Sequence, residues 1–149
     1  ARKFAADIVL LKLVGIHPTA AMKRHASHMS NVTILGEVER LADHLRPVDA
    51  IFVAPLVSGG GVKRKVIEGT MHGCPMLTTT IGAEGLELTS GENAIVTDAN
   101  EMEAPLLRLA DSRSERDRLA RAGYEHIAQR FGFQRLVKSV ATSLDALLG

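Results

Sequence analysis

The sequence predicts an α/β fold with a doubly wound parallel sheet. Short apolar, β-branched runs alternate with longer segments of helical period, and this alternation is typical of βαβ units. The runs are nearly continuous in apolar residues, as expected of strands that helices cover on both faces. Five runs are predicted as strands: 9–14, 32–35, 50–56, 75–80 and 94–97. Five strands are enough for one doubly wound sheet.

Helices are predicted between and after these strands. The predicted segments are 18–29, 39–45, 62–72 and 101–110. Pro18 opens the first of them, and proline suits the first turn of a helix. Leu41 and Leu45 lie four positions apart in the second, on one side of a helix. Gly73 follows the third, where a glycine suits a left-handed helix end.

The C-terminal part of the chain, from Ser114 onward, has an almost entirely helical pattern. We predict two long helices with a break near Gly132. Their apolar positions are Leu119, Gly123, Ile127 and Phe131 in the first, and Leu136, Val140, Leu144 and Leu147 in the second. At the other end of the chain, Phe4, Ile8 and Leu11 have helical spacing, although the run 9–14 also fits a strand.

The amino-acid composition disfavours several classes of function. The 149 residues suit a single domain, and 46% of them are apolar and 23% charged, as in soluble globular proteins. A net charge of +1 and an aromatic content of 3% disfavour nucleic-acid binding. Cys74 is the one cysteine, so no intrachain disulfide can form, and a reducing compartment such as the cytoplasm is expected. The scattered histidines show no metal-site spacing, and we predict no metal.

The segment 56–65 contains three successive glycines between a predicted strand and a predicted helix. Ligands bind at this edge of parallel sheets, and the N–H groups at the start of a helix attract phosphate. Lys63 and Lys65 add positive charge there. The spacing matches neither a Walker A loop nor a dinucleotide-binding fingerprint. The glycine run alone is also consistent with a flexible connection.

Glu68 and the segment 78–86 add to this candidate site. Glu68 lies seven residues after Gly61, so two turns of a predicted helix would place it on the same face as the glycine loop. Its carboxylate could accept hydrogen bonds from sugar hydroxyls, or could pair with Lys63 or Lys65 at the surface. The segment 78–86 brings three threonines and two glycines to the same sheet edge, as a ligand-binding turn or as an ordinary strand and turn.

Together these segments form the run PLxxGGGVKxKxxEGxxxGxPxxTTxxGxEGL from Pro55 to Leu86. This run resembles the donor-site signature of the group 1 retaining glycosyltransferases with the GT-B fold. The resemblance continues more loosely over most of the chain. It implies that the chain is a nucleotide-sugar-binding domain with a Rossmann-like, doubly wound parallel sheet, the C-terminal half of a GT-B fold, ending in long helices.

The resemblance also implies roles for particular residues. Glu68 would bind the ribose hydroxyls of the nucleotide. The loop Gly60, Gly61, Val62 and Lys63 would face the sugar and the diphosphate, with Lys65 adding charge, and the segment from Gly36 to Val38 would lie beside the base. No catalytic residue is assigned, because Gly60 stands where many relatives carry a first glutamate, eight positions before Glu68.

The family places a further strand, and a whole N-terminal acceptor domain, before the region that this sequence covers. We therefore expect residues 1–149 to be one donor-binding domain that is inactive by itself. The expected partners are a nucleotide diphosphate sugar and, through the other domain, a glycan, lipid or small-molecule acceptor. No cofactor is expected. A bacterial, cytoplasmic location is implied, with peripheral association at the inner face of the membrane left open.

Two other functions fit the same residues. A non-catalytic nucleotide-sugar-binding or assembly module would use the same loop without transferring a sugar. A sugar-nucleotide epimerase of the same architecture would need further acid and base residues in the cleft.

Overall fold

The computed structural model of the protein describes residues 10–46 and 49–132. The chain divides into two compact units, Ala1–His44 and Leu45–Gly149, called here the first and the second unit. Each is described by itself. The prediction of a single domain remains a prediction.

The first unit contains a β-α-β arrangement. Strands β1 (Leu11–Val14) and β2 (Val32–Gly36) pair in parallel, with Leu11 opposite Val32 and an irregularity in register between Leu13 and Val14. Helix α1 (Ala20–Ser27) connects them, and a 3₁₀ turn (Leu41–His44) follows β2. The strands confirm two of the predicted runs.

The predicted ends of two helices in the first unit are wrong. Helix α1 begins two residues after Pro18, because the hydroxyl of Thr19 accepts a hydrogen bond from the N–H of Met22 and caps the helix there. The predicted helix 39–45 is only the 3₁₀ turn Leu41–His44. Pro47 follows soon after in the sequence, and the residue before a proline disfavours the α-helical conformation, which works against a longer helix here.

The second unit contains the larger sheet. Strands β3 (Phe52–Ala54), β4 (Met76–Thr78) and β5 (Ile95–Val96) lie side by side in that order and are all parallel. The helices are α2 (Arg64–Met71), α3 (Thr80–Ala83), α4 (Glu103–Asp111) and α5 (Arg113–Phe131), and a 3₁₀ turn (Ala99–Glu101) precedes α4. In the described residues the five predicted strands therefore form a two-stranded and a three-stranded parallel sheet.

Helices cover both faces of the three-stranded sheet, as predicted for a doubly wound fold. Consecutive side chains of a strand point to opposite faces. Accordingly, Met76 of β4 packs in one apolar cluster with Val66 of α2, while Leu77 packs in another with Leu109 of α4. Helix α5 contributes to both clusters, with Ile127 in the first and Leu119 in the second.

Gly69 in helix α2 has a packing role. A side chain at this position would place its Cβ 2.5 Å from the ring of Phe52 on β3, so only glycine lets the helix pack directly on the ring. Overlap of this kind destabilises a core by about 1–3 kcal/mol, which exceeds the roughly 1 kcal/mol that glycine costs inside a helix. The glycine after Glu68 is therefore explained by the strand beneath it.

Helix α5 confirms the first of the two predicted C-terminal helices. It ends at Phe131, next to the predicted break at Gly132. Leu119, Gly123 and Ile127 are buried as predicted, whereas Phe131 at the helix end is exposed. The predicted second helix with Leu136, Val140, Leu144 and Leu147 lies outside the described residues, as do Phe4 and Ile8.

Candidate functional site

Three loops meet the carboxyl edge of the three-stranded sheet, because parallel strands all end on the same side. The first leads from β3 through the glycines to α2, the second follows β4 from Thr79 to Leu86, and the third follows β5 into the 3₁₀ turn Ala99–Glu101. Ligands of open α/β sheets bind at this edge. The glycine segment and the segment 78–86 thus come at the ends of two neighbouring strands, β3 and β4.

The glycine loop has an open backbone that requires glycine at two positions. Gly59 has a φ of +112° and Gly61 a φ of +68°, in the region that side chains disfavour. Gly60 has no positive φ, and at Gly60 and Gly61 no heavy atom of the described residues lies within 4 Å of an added Cβ. The backbone of the loop is therefore accessible to a ligand.

Lys63 connects the glycine loop to the turn after β4. It is the N-cap residue of α2, and its side chain is only 11% exposed. Its Nζ donates to the carbonyl oxygen of Gly61 and lies 3.0 Å from Oε2 of Glu84. Its charge is thus already paired. Lys65, in contrast, is exposed and forms no ion pair with the described residues.

Glu68 is half-buried on α2, and its carboxylate has no hydrogen-bond or ion-pair partner among the described residues. The alternative that it pairs with Lys63 or Lys65 is wrong, because Lys63 pairs with Glu84 and Lys65 forms no ion pair with a described residue. The two-turn spacing from Gly61 is also wrong: Lys63 is extended and α2 begins at Arg64, so only one turn of helix precedes Glu68. Glu68 therefore lies one turn into α2, with a carboxylate that no described residue contacts by a hydrogen bond or an ion pair.

The turn after β4 uses most of its hydroxyl groups internally. Thr78 donates to the carbonyl oxygen of Ala54 at 3.0 Å, and Thr79 donates to that of Leu56 at 2.6 Å. Thr79 also accepts from the N–H of Gly82 and so caps α3, a helix where the sequence predicted a strand end and a turn. Of the three threonines, only Thr80 is exposed.

A cleft of about 350 Å³ lies at this edge and is lined by residues of all three loops. Its lining residues are Leu56, Val57, Thr79, Thr80, Ile81, Asp98, Ala99, Asn100 and Glu101. The sequence reasoning assigned no role to the polar residues after β5. Because they come directly after a predicted strand of a parallel sheet, their place at this edge could have been predicted from the sequence.

Gly36 and Val38 lie in the first unit. Gly36 ends β2 with a φ of +70°, and no heavy atom of the described residues is within 4 Å of an added Cβ. Val38 is half-buried in the loop that follows. Both therefore lie at the carboxyl end of the parallel pair β1 and β2, the edge where ligands bind in such sheets.

Cys74 is a buried residue before β4, and burial raises the pKa of its thiol from 9.0 to about 11. Because alkylating reagents attack the thiolate, which is about one part in a thousand at pH 8, we expect iodoacetamide to leave Cys74 unmodified in the folded protein. After unfolding in guanidinium chloride it should be modified completely. Peptide mass spectrometry measures both, and rapid modification of the folded protein would contradict the buried position.

The described residues hold no group of three or more His, Cys, Asp or Glu side chains arranged to bind a metal ion. Among the helices in the described ranges, none combines the length and the apolar character that crossing a membrane requires.

The chain matches the model of the family "Glycosyl transferases group 1" over residues 2–112. No curated protein sequence gives a significant match.

Three solved structures share the fold at low identity. HepE from Anabaena, solved in complex with UDP, has a TM-score of 0.76 at 17% identity over 93% of this chain. Sucrose-phosphate synthase from Thermosynechococcus elongatus has a TM-score of 0.71 at 18% identity over 96% of this chain.

The third structure is the C-terminal domain of the group 1 glycosyl transferase LpcC from Francisella tularensis, with a TM-score of 0.65 at 15% identity over 76% of this chain. The chain spans 41% of HepE, 40% of the synthase and 62% of the LpcC domain. These matches confirm the predicted Rossmann-like fold of the C-terminal half of a GT-B protein. With three quarters of its length matched by the family, the chain belongs to the group 1 glycosyltransferases.

Proposed function

We propose that this domain binds a nucleotide diphosphate sugar, and that the protein transfers the sugar to an acceptor held by another domain. The observation that carries the proposal is the carboxylate of Glu68. It is half-buried and has no partner among the described residues, on the helix that follows an open glycine loop. An ionised carboxylate can accept hydrogen bonds from both hydroxyls of a ribose. A carboxylate in this position that is not paired with any described residue fits that use.

The start of α2 fits the diphosphate. The N-cap residue Lys63 makes no side-chain capping bond to the helix, so N–H groups of its first turn remain available to a phosphate. Gly60 and Gly61 allow a ligand to approach the backbone closely, and Lys65 adds a positive charge that pairs with no described residue. These groups would stabilise the charge that develops on the diphosphate as it leaves.

The relatives support the nucleotide part of the proposal. HepE has been solved with UDP and also with UDP-glucose. By the family resemblance, Gly36 and Val38 would lie beside the base, and transfer would retain the anomeric configuration without a metal or cofactor. The catalytic groups and the acceptor site would belong to the N-terminal domain. Under this proposal residues 1–149 alone would bind donor without transferring sugar, in a bacterial cytoplasm or at the inner face of its membrane.

Nucleotide diphosphate release from the full-length protein tests this function. The protein is incubated with a panel of UDP- and GDP-sugars, with glycan, lipid and small-molecule acceptors, and the nucleotides are separated by chromatography. We expect one sugar nucleotide to give an acceptor-dependent release of its diphosphate. Binding without release across the panel would instead support the non-catalytic module, and conversion into a second sugar nucleotide would support an epimerase.

A further inference from the structure

Lys63 and Glu84 join two loops of the candidate site that are separated by 21 residues in sequence. Glu84 follows α3 in the turn after β4, and its side chain is 53% exposed, against 11% for Lys63. Lys63 also donates to the carbonyl oxygen of Gly61, which belongs to the glycine loop. One ammonium group therefore contacts both loops at once.

The same two loops touch at another point. Gly85, next to Glu84, has a φ of +71°, and a Cβ there would lie 2.9 Å from Cγ2 of Val62. At Gly59 an added Cβ would be 3.7 Å from Cε of Lys63, so the lysine stem passes beside the glycine loop. The turn after β4 and the Lys63 side chain thus both lie against the glycine loop.

We propose that Glu84 is a positioning residue that fixes the glycine loop through Lys63. This inference rests on the proposed function, in which that loop faces the diphosphate of the donor. Glu84 holds the ammonium group where it can bond to Gly61, and the bond restrains a loop whose glycines have unusually large backbone freedom. A loop already held in its binding conformation costs less entropy when the ligand binds.

The low exposure of Lys63 makes the contact effective. An ion pair between fully exposed groups contributes little, because water and salt screen it and two long side chains lose freedom. Here the lysine side chain is mostly buried, and its ammonium is bonded to a carbonyl as well as to the carboxylate. Without Glu84 the ammonium would lose one of its two partners and could turn toward solvent.

A direct electrostatic effect would have the opposite sign. A negative charge close to a diphosphate repels it, so removing Glu84 would then strengthen donor binding. A positioning role predicts weaker binding, and predicts that the loss depends on Lys63. The sign of the change and its dependence on Lys63 therefore distinguish the two effects.

The test uses the full-length protein and four variants: Glu84→Ala, Glu84→Gln, Lys63→Ala and the double variant with both alanines. Amide hydrogen exchange of segment 55–66 is measured without ligand, and the Kd of the tightest-binding UDP- or GDP-sugar is measured by calorimetry. Glu87→Ala is the matched control, because Glu87 lies in the same region but pairs with Arg130 of α5. It should change neither measurement.

We expect Glu84→Ala to speed exchange in segment 55–66 and to weaken donor binding roughly five- to tenfold, about the loss of one ordinary hydrogen bond. Glu84→Gln keeps a hydrogen-bond acceptor and should recover most of the affinity. In the Lys63→Ala background, Glu84→Ala should have no further effect, since the positioning acts through the lysine.

Three results would overturn the inference: unchanged exchange in the segment, equal or tighter donor binding by Glu84→Ala, or a further loss in the Lys63→Ala background. The wild type and Glu68→Ala are titrated in the same series. If the wild type binds no sugar nucleotide, the proposed function fails, while the exchange data still decide whether Glu84 positions the loop.

Discussion

Glu68→Ala is expected to weaken the binding of a nucleotide diphosphate sugar about a hundredfold. The change removes a carboxylate that would accept hydrogen bonds from two ribose hydroxyls, and the loss of such charge-assisted bonds costs about 3 kcal/mol. Because Glu68 bonds to no described residue, the variant should unfold at the temperature of the wild type. The loss should therefore appear in ligand affinity alone, measured by calorimetry.

Two further variants make this prediction specific. Glu68→Gln keeps one acceptor without the charge and should bind with intermediate affinity. Glu103→Ala removes an exposed carboxylate at the start of α4 and should bind like the wild type. Equal affinities for Glu68→Ala and the wild type would show that this carboxylate does not hold the nucleotide.

Gly82→Ala is expected to lower the free energy of unfolding by about 3 kcal/mol, the sum of a core overlap and a lost buried hydrogen bond. The new Cβ would lie 2.0 Å from Oγ1 of Thr78, a buried hydroxyl that donates to the carbonyl oxygen of Ala54. Either the hydroxyl turns away and leaves that bond unmade, or α3 shifts from the edge of the sheet. Denaturation by urea measures the loss.

The control for this change is Gly60→Ala. Gly60 has no positive φ and no described heavy atom within 4 Å of the added Cβ, so its stability should stay within about 0.5 kcal/mol of the wild type. Combining Gly82→Ala with Thr78→Ala removes the clashing oxygen, and the cost of the glycine change should then nearly disappear. A Gly82→Ala variant as stable as the wild type would refute the close contact.

The strands and the parallel arrangement could be predicted from the sequence because they depend on local pattern. Continuous apolar runs indicated β3, β4 and β5, whose sheet is covered on both faces, and Gly73, with a φ of +75°, ends α2 as the sequence predicted. The ends of helices were harder to place. Thr19 and Thr79 set them by capping bonds, and their place at a cap depends on where the neighbouring strand stops.

The candidate site could be predicted only in outline. Glycines between a strand and a helix of a parallel sheet lie at the edge where ligands bind, so the position of a candidate loop could be predicted from the sequence. The partner of Lys63 could not be predicted, because Glu84 reaches it across a tertiary contact between two loops. The internal use of the Thr78 and Thr79 hydroxyls likewise depends on carbonyl groups of the neighbouring strand and loop.

The contacts of α5 with the loops likewise could not be predicted from the sequence. Arg118 donates to the carbonyl oxygens of Gly91 and Glu92. The Nε2 atom of His126 lies 2.8 Å from the carbonyl oxygen of Leu86. In the sequence these side chains belong to an ordinary charged helix face. In the structure they hold the segment that follows the turn after β4.

A crystal structure of the full-length protein with a bound UDP- or GDP-sugar would show whether Glu68 and the glycine loop hold the nucleotide. We predict that the ribose hydroxyls lie within about 3 Å of the Glu68 carboxylate, and that the diphosphate contacts the N–H groups between Gly60 and Lys65. A sugar nucleotide found elsewhere, such as in the cleft beside Thr80 and Asp98, with Glu68 untouched, would contradict the account.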